Sequence, residues 1–136
     1  VIGSVTLNPM DNTKLIFNVD PDTLPSSTLT AVIKIIDPRG SYPGDGTLIA
    51  PVSGQRYLIT ETLTKAGYPN WGIDANENDI IEYNGTKWIV SYDASSSAVV
   101  DYVTNTYTTK QYKWYNNSWI SSHEGVYNPG FWRLIL

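Results

Sequence analysis

The residues best suited to acid–base chemistry are few, and they limit the catalysis this chain could support. His123 is the only histidine, within Ser121-Ser122-His123-Glu124-Gly125. A metal site built from several histidines of one chain is therefore excluded, and a Ser-His-Asp triad would have to use His123. No Gly-x-Ser-x-Gly nucleophile turn accompanies it. We therefore do not expect catalysis at this histidine.

A run of oxygen-bearing side chains resembles the start of a calcium-binding loop. The run is Asp74-Ala75-Asn76-Glu77-Asn78-Asp79. A calcium loop of the EF-hand type needs glycine at position six and a bidentate glutamate at position twelve. These positions hold Asp79 and Gly85. A solvated turn is the preferred interpretation, with loose calcium binding as the alternative, and we predict no metal and no other cofactor.

Two other kinds of catalytic site lack support in the sequence. Paired carboxylates carry out glycoside hydrolysis, but the Asp and Glu residues lie in predicted loops with no distinguishing context. No glycine-rich loop is placed to hold a phosphate, because Gly40, Gly44 and Gly46 punctuate a proline-rich turn. The chain is therefore predicted not to be an enzyme, and a small glycosidase is the least favoured hypothesis.

The distribution of aromatic residues raises the question of carbohydrate binding. All five Trp and nine of the ten Tyr lie from Tyr57 onward. Exposed rings can stack on sugars, and loop Asn and Asp can bind hydroxyls. Trp71, in a Pro-Asn-Trp-Gly loop, is the aromatic we expect to be most exposed, with Tyr68, Asn70 and Asp74 as further candidate ligand-binding residues. The preferred interpretation is that most aromatics lie in alternating strands and form the core.

Composition and charge argue against several partners. The net charge is -4 and the nine Lys and Arg are scattered, which argues against nucleic acid binding through phosphates. No run approaches the ~18 apolar residues of a membrane span, so we expect no membrane partner. The absence of cysteine removes disulfides and favours an intracellular or particle-bound origin. Because the chain starts at Val1 and its only Met is Met10, we expect an excised domain or a trimmed product.

The elements that would position these residues are hairpins, and one hairpin pattern occurs twice. In residues 81–89 and 112–120, two aromatics bracket four polar or turn-forming residues. Aromatic pairs across strands would stabilise a small core by about 0.5 to 1 kcal/mol each. The pairs expected from a four-residue loop in both copies are Tyr83 with Trp88 and Trp114 with Trp119.

The turn register of these hairpins is open from the residues alone. Asn84-Gly85 favours a type I′ turn, which would set Glu82 opposite Lys87. The same register in the second copy would put Tyr115 at positive φ, which is costly for a bulky side chain. Four-residue loops are preferred if both copies share one geometry.

The rest of the chain is predicted to form further strands. Ten Gly and eight Pro beside long Val and Ile runs favour many short strands over helices. We predict strands at 2–7, 14–19, 30–36 and 131–136, hairpins pairing 47–50 with 56–60 and 99–102 with 107–112, and one short helical turn at 61–66.

The whole chain, 1–136, is predicted to be a single all-β domain, a small sandwich or barrel of successive antiparallel hairpins. The turn-dense segment 37–46 separates N-terminal aliphatic strands, in 1–45, from an aromatic hairpin module, 46–136. About forty residues are too few for a separate core. The N-terminal strands are therefore expected to add to the main sheet, or to act as an assembly arm that pairs with a neighbour.

Several segments of 54–136 form a recognisable set of hairpin motifs. They are Gly54-Gln55-Arg56-Tyr57-Leu58-Ile59, Asn70-Trp71-Gly72, residues 78–88, and Tyr112-Lys113-Trp114 with Trp119. These segments resemble β-rich modules of tailed-bacteriophage virion proteins, most like those of large contractile-tailed phages, in which short G-x-R-Y-L-I and Y-x-G-x-W hairpins recur along tail, neck or baseplate polypeptides. The resemblance implies a non-enzymatic structural module in a repeating, symmetric assembly, with no catalytic residue to transfer. Residues 1–45 have no counterpart in it.

The resemblance implies a structural component of a phage virion, in the tail, neck or baseplate or associated with the head. Its expected partners are other virion proteins, as a homo-oligomer or as part of a larger polypeptide. Its expected location is the phage particle, assembled in the host cytoplasm. The alternative is a carbohydrate-binding module that recognises surface glycans through its loop aromatics.

Overall fold

Short strands account for nearly all the regular structure in the computed structural model, which describes residues 3–19, 27–108, 110–122 and 130–132. The strands are β1 Gly3–Leu7, β2 Leu15–Val19, β3 Lys34–Ile36, β4 Arg56–Ile59, β5 Ile80–Tyr83, β6 Trp88–Tyr92, β7 Tyr102–Asn105, β8 Lys110–Tyr115, β9 Ser118–Ser121 and β10 Gly130–Trp132. A 3-10 helix spans Ala94–Ser96. The all-β prediction is confirmed, and no helix in the described residues is long and apolar enough to cross a membrane.

The strands form three sheets. The N-terminal sheet has the order β1-β2-β10, the central sheet β3-β4-β5-β6, and the C-terminal sheet β7-β8-β9. All pairs of named strands are antiparallel except β3 with β4, which are parallel. Because β10 pairs with β2, the N-terminal hairpin is joined to a strand from near the end of the chain.

Residues 27–36 connect the central and C-terminal sheets. The amides of Leu29 and Val32 donate to the carbonyls of Tyr102 (2.7 Å) and Thr104 (2.9 Å) at β7. The Ile33 amide then donates to the Arg56 carbonyl (2.8 Å) at the start of β4. The segment thus changes partner midway, and this explains why only Lys34–Ile36 of the predicted strand 30–36 forms a regular strand.

The central sheet lies between two apolar clusters. Successive strand residues point to opposite faces of a sheet, and in β4 Tyr57 and Ile59 join one cluster whereas Leu58 joins the other. The first cluster includes Ile81, Leu63, Trp71 and Trp88. The second is built from Val32, Leu58, Ile80 and Val103, and it fills the space between the central and C-terminal sheets.

The predicted cross-strand aromatic pairs are present. Tyr83 is opposite Trp88 with ring centroids 5.3 Å apart, and Trp114 is opposite Trp119 at 5.4 Å. Trp119 also donates from Nε1 to the Asn78 carbonyl at 2.9 Å. This bond ties the C-terminal sheet to the loop that enters β5.

The two hairpins share this aromatic register but not one turn geometry. In the first, Asn84 caps a four-residue loop, since its Oδ1 accepts from the amides of Thr86 (2.9 Å) and Lys87 (3.0 Å). In the second, Tyr115 still pairs with Ser118. That hairpin closes with a two-residue turn, Asn116-Asn117, at φ 52° and 60°. Asparagine tolerates this left-handed conformation, so Tyr115 avoids it.

The alternative type I′ register at Asn84-Gly85 is wrong, because Glu82 lies opposite Ile89 on one side and Arg56 on the other. Arg56 Nη1 lies 2.6 Å from a Glu82 carboxylate oxygen. The favourable charge pair therefore forms between β4 and β5, where both groups are largely shielded from water. Lys87 remains exposed in the loop.

Two other predicted elements are wrong. Residues 47–50 do not pair with β4, because β3 and β5 occupy both edges of that strand. Leu48 instead bridges Pro43. Residues 61–66 are not helical, since Leu63 is held extended by a bridge to Ala75. The 3-10 helix instead follows Asp93, which caps it by accepting from the Ser95 amide.

The remaining two predicted elements are found in part. The hairpin predicted for 99–102 and 107–112 is present as β7 with β8, in a shifted register that pairs Asn105 with Lys110. The predicted terminal strand is present as β10, and residues 133–136 lie outside the described residues.

The Asn116-Asn117 turn yields a stability prediction. Glycine adopts positive φ without a Cβ penalty, so Asn117→Gly should raise the free energy of unfolding by about 0.5 kcal/mol. Asn117→Val should lower it by about 1–2 kcal/mol, because a β-branched residue is strained there. Urea denaturation of both variants checks this. Equal stabilities for the two variants would contradict the turn assignment.

Candidate functional site

A polar cleft of about 430 Å³ opens beside β6. Its walls come from the chain before and after Trp71 and from the end of β6. Asp74 is the sequence-predicted candidate residue that lines it. The lining residues are Thr62, Leu63, Thr64, Asp74, Ala75, Asn76, Asp79, Val90 and Asp93.

Backbone hydrogen bonds hold the cleft walls together. Leu63 and Ala75 exchange two bonds, at 2.8 and 3.1 Å. The Asp74 carboxylate accepts from the Lys65 amide at 2.7 Å. The Thr62 hydroxyl accepts from the Glu77 amide at 3.2 Å. The acidic run 74–79 is therefore fixed as a wall of the fold.

Asp79 is the innermost carboxylate of the cleft, with 2% of its surface exposed. Its two oxygens accept from the amides of Asn76 (2.8 Å) and Ala94 (3.0 Å). Burial raises the pKa of Asp79 above its ordinary value, the two amide bonds oppose that rise, and the like charge of Asp93 adds to it. Asp79 thus joins the 74–79 loop to the 3-10 helix.

The carboxylates of the cleft serve as structural hydrogen-bond acceptors more than as reactive groups. The carboxylates of Asp74, Asp79 and Asp93 each accept a backbone amide. Within the described ranges, no three or more His, Cys, Asp or Glu side chains are grouped to hold a metal ion. The sequence could indicate an acidic loop here, but only the fold reveals that Asp79 is turned inward and that Asp93 lines the same cleft.

The prediction that Trp71 is an exposed aromatic is wrong. Its side chain is 3% exposed, and Nε1 donates to the Pro38 carbonyl at 2.8 Å. Its ring packs edge-on against Trp88, with centroids 5.0 Å apart. Burial of its apolar ring in the first cluster outweighs its position in a Pro- and Gly-containing loop. Trp71 therefore presents no face on which a sugar could stack.

The other candidate ligand-binding residues differ in burial, and Asp74 is the one among them that lines the cleft. Tyr68 is half-buried and packs against the first apolar cluster. Asn70 is exposed in the turn before Trp71, and Asp74 faces the cleft. His123 lies outside the described residues.

A different surface stands out at the N-terminal sheet. Residues Ser4 to Leu7 of β1 are all exposed, so both faces of this strand meet solvent. Val5 is 57% and Leu7 72% exposed, and Met10 in the following turn is 90% exposed. Clustered exposed apolar side chains mark contact surfaces more often than single ones do. The signal in the sequence that could have revealed this surface is the absence of charge through residues 1–8.

Comparison with protein-family models, with curated proteins and with solved structures finds no match for this chain. The fold and the surfaces described above define an all-β protein with a structural acidic cleft and an exposed apolar edge strand.

The role of Trp71 can be checked by substitution. Trp71→Phe should lower the free energy of unfolding by about 1–3 kcal/mol, because it leaves the buried Pro38 carbonyl without its donor. Urea denaturation measures the change. Asn70→Ala, one position earlier and exposed, is the matched control and should stay within about 0.5 kcal/mol of the parent chain. Similar losses for both would contradict a structural role for the ring.

Asp79 should link stability to pH. Asp79→Asn should cost about 1–3 kcal/mol at neutral pH, since one of the two amides then faces an NH₂ group. Because the folded-state pKa is raised, the parent chain gains stability from proton binding. That gain is complete below the ordinary pKa of 3.8 and is lost as the pH rises through the folded-state pKa.

The difference in unfolding free energy between parent and Asp79→Asn should therefore widen as the pH falls. Denaturation series from neutral to acidic pH measure this difference. Because the parent and the variant share all other titratable groups, the contributions of those groups cancel in the difference. A difference that shrinks on acidification would show that the pKa of Asp79 is not raised.

Proposed function

We propose that this chain is a non-enzymatic structural component of a bacteriophage virion, acting through contacts with other virion proteins. The observation that carries the proposal is the exposed strand β1. Val5 and Leu7 leave apolar surface in water at the edge of a sheet, and soluble proteins normally cover or charge such edges. A partner subunit would remove this surface from water.

The interior supports a mechanical role. The central sheet is held from both faces by apolar clusters and internally by the Arg56–Glu82 ion pair. In each of the two hairpins, a pair of aromatic rings packs across the strands. A scaffold of this kind keeps its contact surfaces in fixed positions, which repeating assemblies require.

The phage assignment itself depends on the resemblance of residues 54–136 to tail, neck and baseplate modules. The residues that carry this resemblance have structural roles in this fold. Tyr57 is buried in the first cluster, Arg56 pairs with Glu82, and Trp88 closes the first hairpin. A motif made of such residues is compatible with a structural module and supplies no reactive group.

The carbohydrate-binding alternative loses its main support at Trp71, whose ring lies in the core.

The proposal is tested on purified particles. If the chain is a virion component, mass spectrometry of gradient-purified particles from the source phage should detect its peptides in a constant ratio to the major capsid protein. The matched control is the lysate fraction of the same density from uninfected host. Peptides confined to the soluble fraction, with none in particles, would refute the proposal.

A further inference from the structure

Among the described strands, β1 leaves one edge unpaired, with a defined set of backbone groups. It is an outer strand of the N-terminal sheet, and in the described residues its only strand partner is β2. The Asn8 amide donates to the Lys14 carbonyl at 3.1 Å, where the hairpin begins. Hydrogen-bonded pairs alternate along an antiparallel ladder, so Ser4 and Thr6 bond to β2. The backbone groups of Gly3, Val5 and Leu7 therefore point away from the sheet.

Within the part of the chain that the structure describes, this edge lacks the features that normally block strand pairing. Proteins protect edges with charges, proline, bulges or a covering segment. Residues Gly3–Leu7 contain no charged residue and no proline, and their register with β2 is unbroken. The edge of β6, in contrast, carries a register shift opposite Ile80 and Ile81.

The geometry points to a second copy of this chain as the occupant: we infer that two chains pair antiparallel through β1 about a two-fold axis at Val5. This inference rests on the proposed assembly role and names its partner. In this register Val5 opposes Val5 of the other copy, and Gly3 opposes Leu7. Every outward-facing residue of one strand then meets an outward-facing residue of the other, so all three pairs can exchange hydrogen bonds.

Side-chain shape favours the same occupant. Leu7 would lie beside Gly3 of the other chain, which has no side chain to obstruct it. Val5 and Leu7 lie on one face of the strand, so the four apolar side chains of two copies would cluster around the axis. Each chain carries a net charge of -4, which opposes the association of two copies, but Gly3–Leu7 is uncharged and adds no local repulsion at this edge. Pairing about a two-fold axis uses each β1 edge once and closes as a dimer.

Single cysteines test this arrangement without interference, because the chain contains no cysteine of its own. In the full chain, Val5→Cys would place two thiols on opposed residues about 5.5 Å apart at Cα, within reach of a disulfide or a short bis-maleimide. Thr6→Cys is the matched control. Thr6 is also exposed, but the two copies of it would be diagonal neighbours on the order of 8 Å apart, too far for a disulfide.

We expect the V5C variant to form a linked dimer of twice 15.2 kDa under mild oxidation, at least tenfold faster than the T6C variant at the same concentration. The unmodified chain should show the same dimer mass by sedimentation velocity. Equal linking of the two variants, linking of T6C alone, or no linking of V5C would each overturn the two-fold pairing at Val5. Open-ended aggregates in place of a dimer would also overturn it.

This result is separable from the test on particles. If V5C fails to link but peptides of the chain are present in virions, the β1 pairing is refuted and the assembly role is still supported. If V5C links efficiently but no peptides are found in virions, the pairing is supported and the phage assignment is refuted.

Discussion

The structure depends on strand β4 being buried on both faces and paired at both edges. Arg56–Ile59 is buried at every position, with β3 on one side and β5 on the other. Tyr57 and Ile59 anchor one apolar cluster, and Leu58 anchors the second. A strand in this position can tolerate no slip in register, because a shift of one residue would exchange the two clusters. The turns, the caps and the cleft are arranged around that strand.

The buried polar groups follow from the same constraint. Polar residues lie at the margins of the two apolar clusters, and each buried polar group there needs a hydrogen-bond partner. Asp101 accepts from the Tyr92 hydroxyl at 2.6 Å where β6 approaches the start of β7. Burial raises the pKa of Tyr92, with the hydrogen bond to Asp101 adding to that rise. Asp79 has an equivalent role just beyond the same end of β6, where its carboxylate accepts from the amides of Asn76 and Ala94. The acidic residues that suggested a ligand site are thus largely structural acceptors.

Sequence patterns predicted what is local and missed what is long-range. The aromatic pairs Tyr83–Trp88 and Trp114–Trp119 could be predicted because hairpin register is set within a few residues. The parallel pairing of β3 with β4 could not, since nothing in residues 34–36 encodes a partner more than twenty positions away. The same holds for Leu63, where a bridge to Ala75 overrides a weak local preference for helix. Tertiary contacts decide such segments, and single-sequence patterns do not contain them.

The candidate sites show the same difference between local and long-range determinants. Loop composition around Trp71 predicted exposure, yet the ring reaches the Pro38 carbonyl across 33 positions of sequence, and burial of a large aromatic outweighs the local preference of its loop. At β1 the local pattern predicted the strand but carried no information on its environment. Alternating Val5, Thr6 and Leu7 would normally imply one covered face, but neither of the two apolar clusters draws on this strand. Apolar surface that the interior does not use is available for contact between molecules, and this shifts the functional question from the aromatic loops to the N-terminal edge.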